Sequence, residues 1–235
     1  MYTQYIAELT NTWTSFVITV IAVYCAVASA PVLRSTAEGR LTLITYAILG
    51  ACGLGSVAFH ATLTFPGQAA DELTMLYSAA ATVVGLAIAR RPGTSLAALS
   101  TAATGLCVVV SFVYVWARSF ELFFVTYASM VVSIAVLGWQ LTSATGARFQ
   151  RCRALYRASV VCYIGGFLFL WIPTEVLACS SVVAFNGHGI FHITSALGTT
   201  CMIALVGIVT APTKLTTRYT GTYPLLPIVV QTKVK

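Results

Sequence analysis

Charge is what this sequence lacks. Only 8% of its 235 residues are charged, against about 25% in an ordinary soluble domain. A solvated surface cannot be built from so few charges, which excludes a soluble globular protein. The chain has a single aspartate, Asp71, and three histidines, His60, His188 and His192. It also has no CxxC pair: Cys25, Cys52, Cys107, Cys152, Cys162, Cys179 and Cys201 stand apart, mostly inside apolar runs. That spacing argues against a disulfide framework and against a cysteine zinc site, and leaves small apolar packing residues. The net charge of +7 belongs to short loops between apolar segments, so it points to a membrane surface and not to nucleic acid.

What is present is a series of long apolar runs. Membrane helices need about 20 such residues each, and seven segments qualify: residues 12–32, 41–63, 69–89, 95–116, 119–141, 156–178 and 186–211. The expected fold is an all-α seven-helix membrane bundle formed by residues 1–211. The polar tail 212–235 is expected to have no fold of its own. Glu8, with no basic run before the first span, argues against a cleaved signal peptide. With seven spans, twelve of the thirteen Lys and Arg residues fall on one side, and only Arg118 on the other. The positive-inside bias then places the N-terminus in the lumen or outside the cell and the C-terminus in the cytosol.

Ionisable groups at membrane depth are costly and usually functional. The stretch GSVAFHATLTFPGQAADE, residues 55–72, carries His60 near the end of the second span and Asp71 near the start of the third. Phe65-Pro66-Gly67 reads as the turn between them, leaving both about 6 Å from it, at one depth. His188 and His192, four apart, share one face of the seventh span, which begins on the same side. A lone histidine in a span is ordinarily a packing residue. Three at one depth, with none elsewhere, fit a zinc site with an open fourth position. Ser56, one turn from His60, is placed to donate to an oxyanion, and Asp71 to take a proton from water. Bland readings remain: Asp71 as a helix cap, Ser56 as part of the small-residue stripe Ala47, Ala51, Gly55, and Glu72 as a boundary charge or an outer partner of a ligand.

Ser56-Val-Ala-Phe-His60, Asp71-Glu72-Leu73, His188-Gly-Ile-Phe-His192 and the early Tyr5-Ile-Ala-Glu8-Leu-Thr-Asn11-Thr12 together resemble the alkaline ceramidases. That family sits within a seven-span hydrolase superfamily that also includes the adiponectin and progestin receptor group. The resemblance implies hydrolysis of ceramide, a lipid substrate drawn from the bilayer, to sphingosine and a fatty acid. It implies His60, His188 and His192 as ligands of Zn2+, Asp71 as the residue acting on the attacking water, and Ser56 as the oxyanion donor. Glu8 matches a ligand of a Ca2+ site that some members carry. That site draws on an acidic loop upstream, and Glu8 is the sole acid of this chain's N-terminal stretch, so Ca2+, which takes six to eight oxygen ligands, is the weaker expectation. Endoplasmic reticulum or Golgi membrane is the expected location, the plasma membrane the second choice. Aromatic residues Phe112, Tyr114, Phe123, Phe124, Tyr163, Phe167 and Phe169 are candidate lining for a lipid cavity, with packing or lipid-facing roles expected for most. Two rival readings stand beside the enzyme: a receptor-like relative, which would place its N-terminus in the cytosol, and a non-enzymatic membrane protein such as a bis-histidine haem carrier or small transporter.

Overall fold

Apolar composition and length dictate the architecture. The computed structural model describes residues 6–144, 147–174, 186–211, 215–219 and 226–231. Within these, seven helices are long and apolar enough to cross a membrane. They are α1 (Leu9–Leu33), α2 (Ala37–Thr62), α3 (Phe65–Arg90), α4 (Leu96–Ala117), α5 (Phe120–Ser143), α6 (Ala147–Val160) and α7 (Gly187–Thr210). α6 continues through π-helical turns at Val161–Gly165 and Phe167–Trp171, and its apolar span is Cys152–Trp171. α7 is the most enclosed of the seven. Residues 175–178 of the expected sixth span lie outside the described residues, as do Glu175 and Cys179.

Helix starts follow local capping chemistry. The side chains of Thr36, Ser95, Ser119 and Asn186 accept from the backbone N–H groups of Gly39, Ala98, Leu122 and Gly189. Each satisfies a donor with no partner inside its own helix. α1 starts earlier than its apolar run because polar Asn11, Thr12 and Ser15 are buried against neighbours, a face that hydropathy alone does not reveal.

The turn between α2 and α3 differs from the sequence expectation. It falls at Leu63–Thr64, with Leu63 in the left-handed region at φ 49°. Pro66 lies in the first turn of α3, where its missing N–H costs nothing. Asp71 is therefore well inside α3, which removes its reading as a cap. His60 is two residues from the end of α2, about 3 Å, whereas Asp71 is six residues into α3, about 9 Å. Asp71 shares the level of Ser56, one turn deeper than His60.

Backbone contact fixes that level. A Cβ built on Gly55 would stand 2.6 Å from the carbonyl carbon and oxygen of Ala70 and 2.8 Å from the Asp71 nitrogen. α2 and α3 touch main chain to main chain here, so Ser56 and Asp71 are held together by the residue before each. Gly55→Ala is expected to force the helices apart, costing about 1–3 kcal/mol as overpacking does, and to lower the thermal midpoint. Gly105→Ala is the control, since its Cβ would meet nothing within 4 Å; equal midpoints for the two variants would contradict this packing account.

One apolar cluster lies toward the basic end of the bundle, where Leu33, Leu86, Leu141, Leu155, Leu205 and Val206 pack with Val229 of the tail; another, with Leu76, Tyr114 and Phe123, lies toward the opposite end. The tail corrects the expectation of a foldless end. Strand β1 (Leu215–Tyr219) pairs antiparallel with β2 (Pro227–Gln231), from Leu215↔Gln231 to Tyr219↔Pro227. Ile228 and Val229 are buried, and the Val229 N–H donates to the Ser29 hydroxyl of α1 at 3.1 Å. Apolar β-branched residues find helix surface to cover, which a count of polar residues in the tail obscures.

Candidate functional site

Local structure brings the three histidines together. α7 begins at Gly187 because Asn186 caps it, its side chain accepting from Gly189 N at 2.7 Å. His188 and His192 then sit one turn apart on the face turned toward α1 and α2. Gly189 lies between them and lets α1 close in: a Cβ there would stand 3.2 Å from Thr14 Oγ1. At the end of α2, the N–H groups of Ala7 and Glu8 donate to the carbonyls of Ala61 and His60 at 3.1 and 3.0 Å. These are carbonyls a helix end leaves unpaired, and filling them lays Glu8 beside His60.

The result is a compact cluster. One ligand atom from each of His60, His188 and His192 lies within 4.8 Å of the others. Ring centroids are 5.0, 4.9 and 4.7 Å apart, and the rings are tilted or edge-on, not stacked. His60 and His192 are buried and His188 is half-buried.

Hydrogen-bond accounting assigns the tautomers. His60 Nδ1 lies 2.6 Å from Glu8 Oε2. A carboxylate only accepts, so Nδ1 carries the proton and Nε2 presents a lone pair. The hydrogen bond from His60 holds the Glu8 carboxyl below its ordinary pKa. His192 Nδ1 meets the hydroxyls of Thr14 and Ser15 at 3.0 and 3.2 Å. Both hydroxyls also point at carbonyls of their own helix: Thr14 at Thr10, Ser15 at Asn11. Each has one proton to give, so with these spent on carbonyls the histidine is the donor, and His192 Nε2 is likewise free to ligate. Two of three rings are thus fixed in the orientation metal-bound histidines show, with the far nitrogen tied to an oxygen.

Beside the cluster, Asp71 is flanked by the Ser56 hydroxyl and by Cys52, whose Sγ is 3.6 Å from Asp71 Oδ1. Ser15 Oγ is 2.9 Å from Ser56 Oγ. Six predicted positions therefore fall in one place: Ser56, His60, Asp71, His188 and His192 line one cavity, and Glu8 backs His60. Glu72, which had no clear role in the sequence, is two turns inside α3, receiving hydrogen bonds from Tyr114 OH and from Gln68 Nε2.

The cavity has a volume of about 310 Å³. Along α7 it reaches from His188 to Met202, fourteen residues or about 21 Å at 1.5 Å per residue. Its imidazoles and carboxylates lie at the histidine end, next to Trp171, whose ring is edge-on to His188 at 6.2 Å. Four of the seven candidate aromatics, Phe123, Phe124, Tyr163 and Phe167, line it, more than the sequence led one to expect, whereas Phe112 and Phe169 face outward, 70% and 74% exposed, and Tyr114 packs in the core. The hydroxyls of Tyr127 and Tyr163 meet across its middle.

Sequence reasoning missed Thr14, Ser15 and Cys52. The signal for the first two was there: a run of polar residues, Thr10 to Ser15, opening an apolar helix. Cys52 carried none, since a buried cysteine in a span looks like any packing residue. Cys25, Cys107, Cys162 and Cys201 are free thiols, in keeping with packing roles.

A long apolar cavity thus ends at a histidine cluster and a carboxylate, inside a seven-helix membrane bundle. Residues 1–230 match the family described as Ceramidase. The chain belongs to the Ceramidase family. Among curated proteins, it is 31% identical over 90 residues to the Dictyostelium discoideum protein named "Putative alkaline ceramidase dcd3A". That match covers 33% of this chain and 31% of the relative, so it spans about a third of the relative's length. The same cluster disfavours a bis-histidine haem reading, because three rings converging on one point do not flank the two faces of a macrocycle.

Proposed function

We propose that this ceramidase-family chain is an intramembrane zinc-dependent amidase that hydrolyses ceramide to sphingosine and a free fatty acid. The observation that carries the reading is the convergence of three histidines with Ser56 and Asp71 at one end of a lipid-length cavity. His60, His188 and His192 are the residues that would hold zinc, and the donor set fits it: three imidazoles, two already oriented through Nδ1. Zinc so held supplies Lewis-acid polarisation and a nucleophile at neutral pH.

The chain's own residues do the rest. The cavity takes a hydrocarbon tail along α7 and brings the amide to the histidine end. Asp71 accepts a proton as water adds to the carbonyl carbon, and returns it to the nitrogen as the C–N bond breaks. The hydroxyl of the free acid and the N–H of the amine thus both come from one water. Ser56 holds a single hydroxyl proton, directed in the resting state to Asp71, and turns it to the developing oxyanion. The basic end of the bundle, with Arg34, Arg40, Arg90 and Arg91, faces the cytosol on this reading, and the histidines lie toward the lumen or cell exterior.

Glu8 serves as the outer carboxylate that orients His60, a different job from a calcium ligand. Losing such a partner costs about 10–100-fold in metal affinity. Glu8→Gln, which keeps an acceptor without the charge, is expected near the lower bound and Glu8→Ala near the upper one, read by competition with a chromophoric chelator. Unchanged zinc affinity in Glu8→Ala, with altered calcium dependence, would return Glu8 to the calcium reading.

The direct test is release of sphingosine from ceramide by the purified full chain in detergent micelles. Activity is expected, lost with a chelator and restored by zinc. No turnover under any metal supplement sinks the enzyme reading and favours a receptor-like one. An N-terminal glycosylation tag tests orientation independently: modification supports a lumenal N-terminus, and its absence supports the receptor group's topology.

A further inference from the structure

A second cavity, of about 400 Å³, opens between α5 and α6 at the basic end of the bundle. It is lined by Trp139, Thr142, Ser143, Arg153, Tyr156 and Arg157. Arg153 is half-buried and Arg157 exposed. Arg153 Nε donates to the carbonyl of Thr142 at 2.7 Å, one of the carbonyls the end of α5 leaves unpaired. That bond aims the guanidinium at the pocket and leaves its Nη donors for another acceptor. Tyr156 is fixed in turn, its OH donating to Ala135 O at 3.0 Å. Among the described residues the sole ion pair is His60 with Glu8, at the other end. Among the described residues the two arginines meet no carboxylate there.

A pocket lined by two arginines, and by no acid among the described residues, fits a tetrahedral oxyanion, and arginine forks match phosphate in particular. Its position says which phosphate. Trp139 is 59% exposed at the end of a span, where tryptophan marks the membrane interface. Below it on α5, Val136 and Val132 are 46% and 61% exposed and continue the same stripe at one-turn spacing. On α6, Val161 follows Arg157 by one turn and is 69% exposed. An apolar track thus leads from the basic pocket down both helices toward the bilayer centre. A free phosphate ion would use none of it.

We infer that the α5–α6 pocket binds the phosphate headgroup of an anionic membrane lipid, its tails lying along the Val132–Val136 and Val161 surfaces. Basic pockets between membrane helices on the cytoplasmic side are recognised headgroup sites. The site is separate from the histidine cavity and does not depend on its chemistry. The two stand back to back: Tyr156 borders the headgroup pocket, its ring packs on Gly138 beside Met202, and Met202 lines the floor of the long cavity.

Native mass spectrometry of the purified full chain, titrated with phosphatidic acid or with phosphatidylcholine, tests the inference without any turnover. Wild type is expected to retain phosphatidic acid over phosphatidylcholine. Each arginine near an anionic lipid is worth about a fivefold change in affinity, so Arg157→Gln weakens retention about fivefold and Arg153→Gln/Arg157→Gln about 30-fold. Arg157→Gln alone leaves the Arg153–Thr142 bond intact, so it remains informative if the double variant fails to fold. Arg34→Gln/Arg40→Gln, at the same end outside the pocket, is expected to bind as wild type does. Equal retention of the two lipids, wild-type retention by Arg157→Gln, or an Arg34/Arg40 variant as weak as the pocket variants each overturns the site. Displacement of the lipid by inorganic phosphate as readily as by soluble phosphatidic acid assigns the pocket to free phosphate and overturns the lipid.

Discussion

His192→Ala is expected to purify as a folded bundle that holds no zinc and releases no sphingosine. The ring is buried on α7, yet its removal strands no partner. Thr14 and Ser15, which meet Nδ1, already have carbonyl acceptors on α1, so no buried donor is left unpaired. The cost in stability is that of a partly filled cavity, about 1 kcal/mol as for a typical point substitution. Metal binding behaves otherwise. Outer partners of a ligand are each worth about 10–100-fold in affinity, and deleting the ligand exceeds that range. Measured zinc content should fall from near one per chain to background while the thermal midpoint of chelated protein matches that of chelated wild type. Full ceramide hydrolysis by His192→Ala would falsify the metal site. A variant that unfolds instead would leave His192→Gln as the cleaner version, because it retains volume and polarity.

Asp71→Asn separates chemistry from metal binding. The side chain keeps its shape beside Ser56 and Cys52 but can no longer take a proton. General-base catalysis contributes about 10²–10⁴ in rate, and a loss of that size in kcat is expected, with zinc content and thermal midpoint at wild-type values. Its position one turn deeper than His60 makes this split possible: on the proposed function the carboxylate borders the reacting amide, and it does not belong to the histidine cluster. Loss of zinc in Asp71→Asn would make Asp71 a ligand, and unchanged kcat would leave it a structural carboxylate held by Ser56.

Much of this was legible along the chain because the bilayer simplifies the reading. Helices must satisfy their own backbone groups in lipid, so apolar length alone gives seven spans. The scarcity of ionisable residues made His60, Asp71, His188 and His192 stand out. Their meeting could be expected from the alternation of spans. What failed was local. Pro66 looked like the turn but begins α3, because proline is as comfortable in a first helical turn as in a loop. The tail looked foldless because its apolar β-branched residues are few and need a surface supplied by α1.

The sequence by itself determined that this is a seven-span, positively biased membrane protein whose rare ionisable groups stand out, since length, hydropathy and rarity are properties of residues taken singly. Only the tertiary structure decided which nitrogen of His60 and His192 is free, that Glu8 backs His60, that Gly55 sets Ser56 against Asp71, and that Arg153 and Arg157 share a pocket with Trp139. Those are relations between residues on different helices. Side-chain direction and helix separation fix them, and neither is written in the order of the chain.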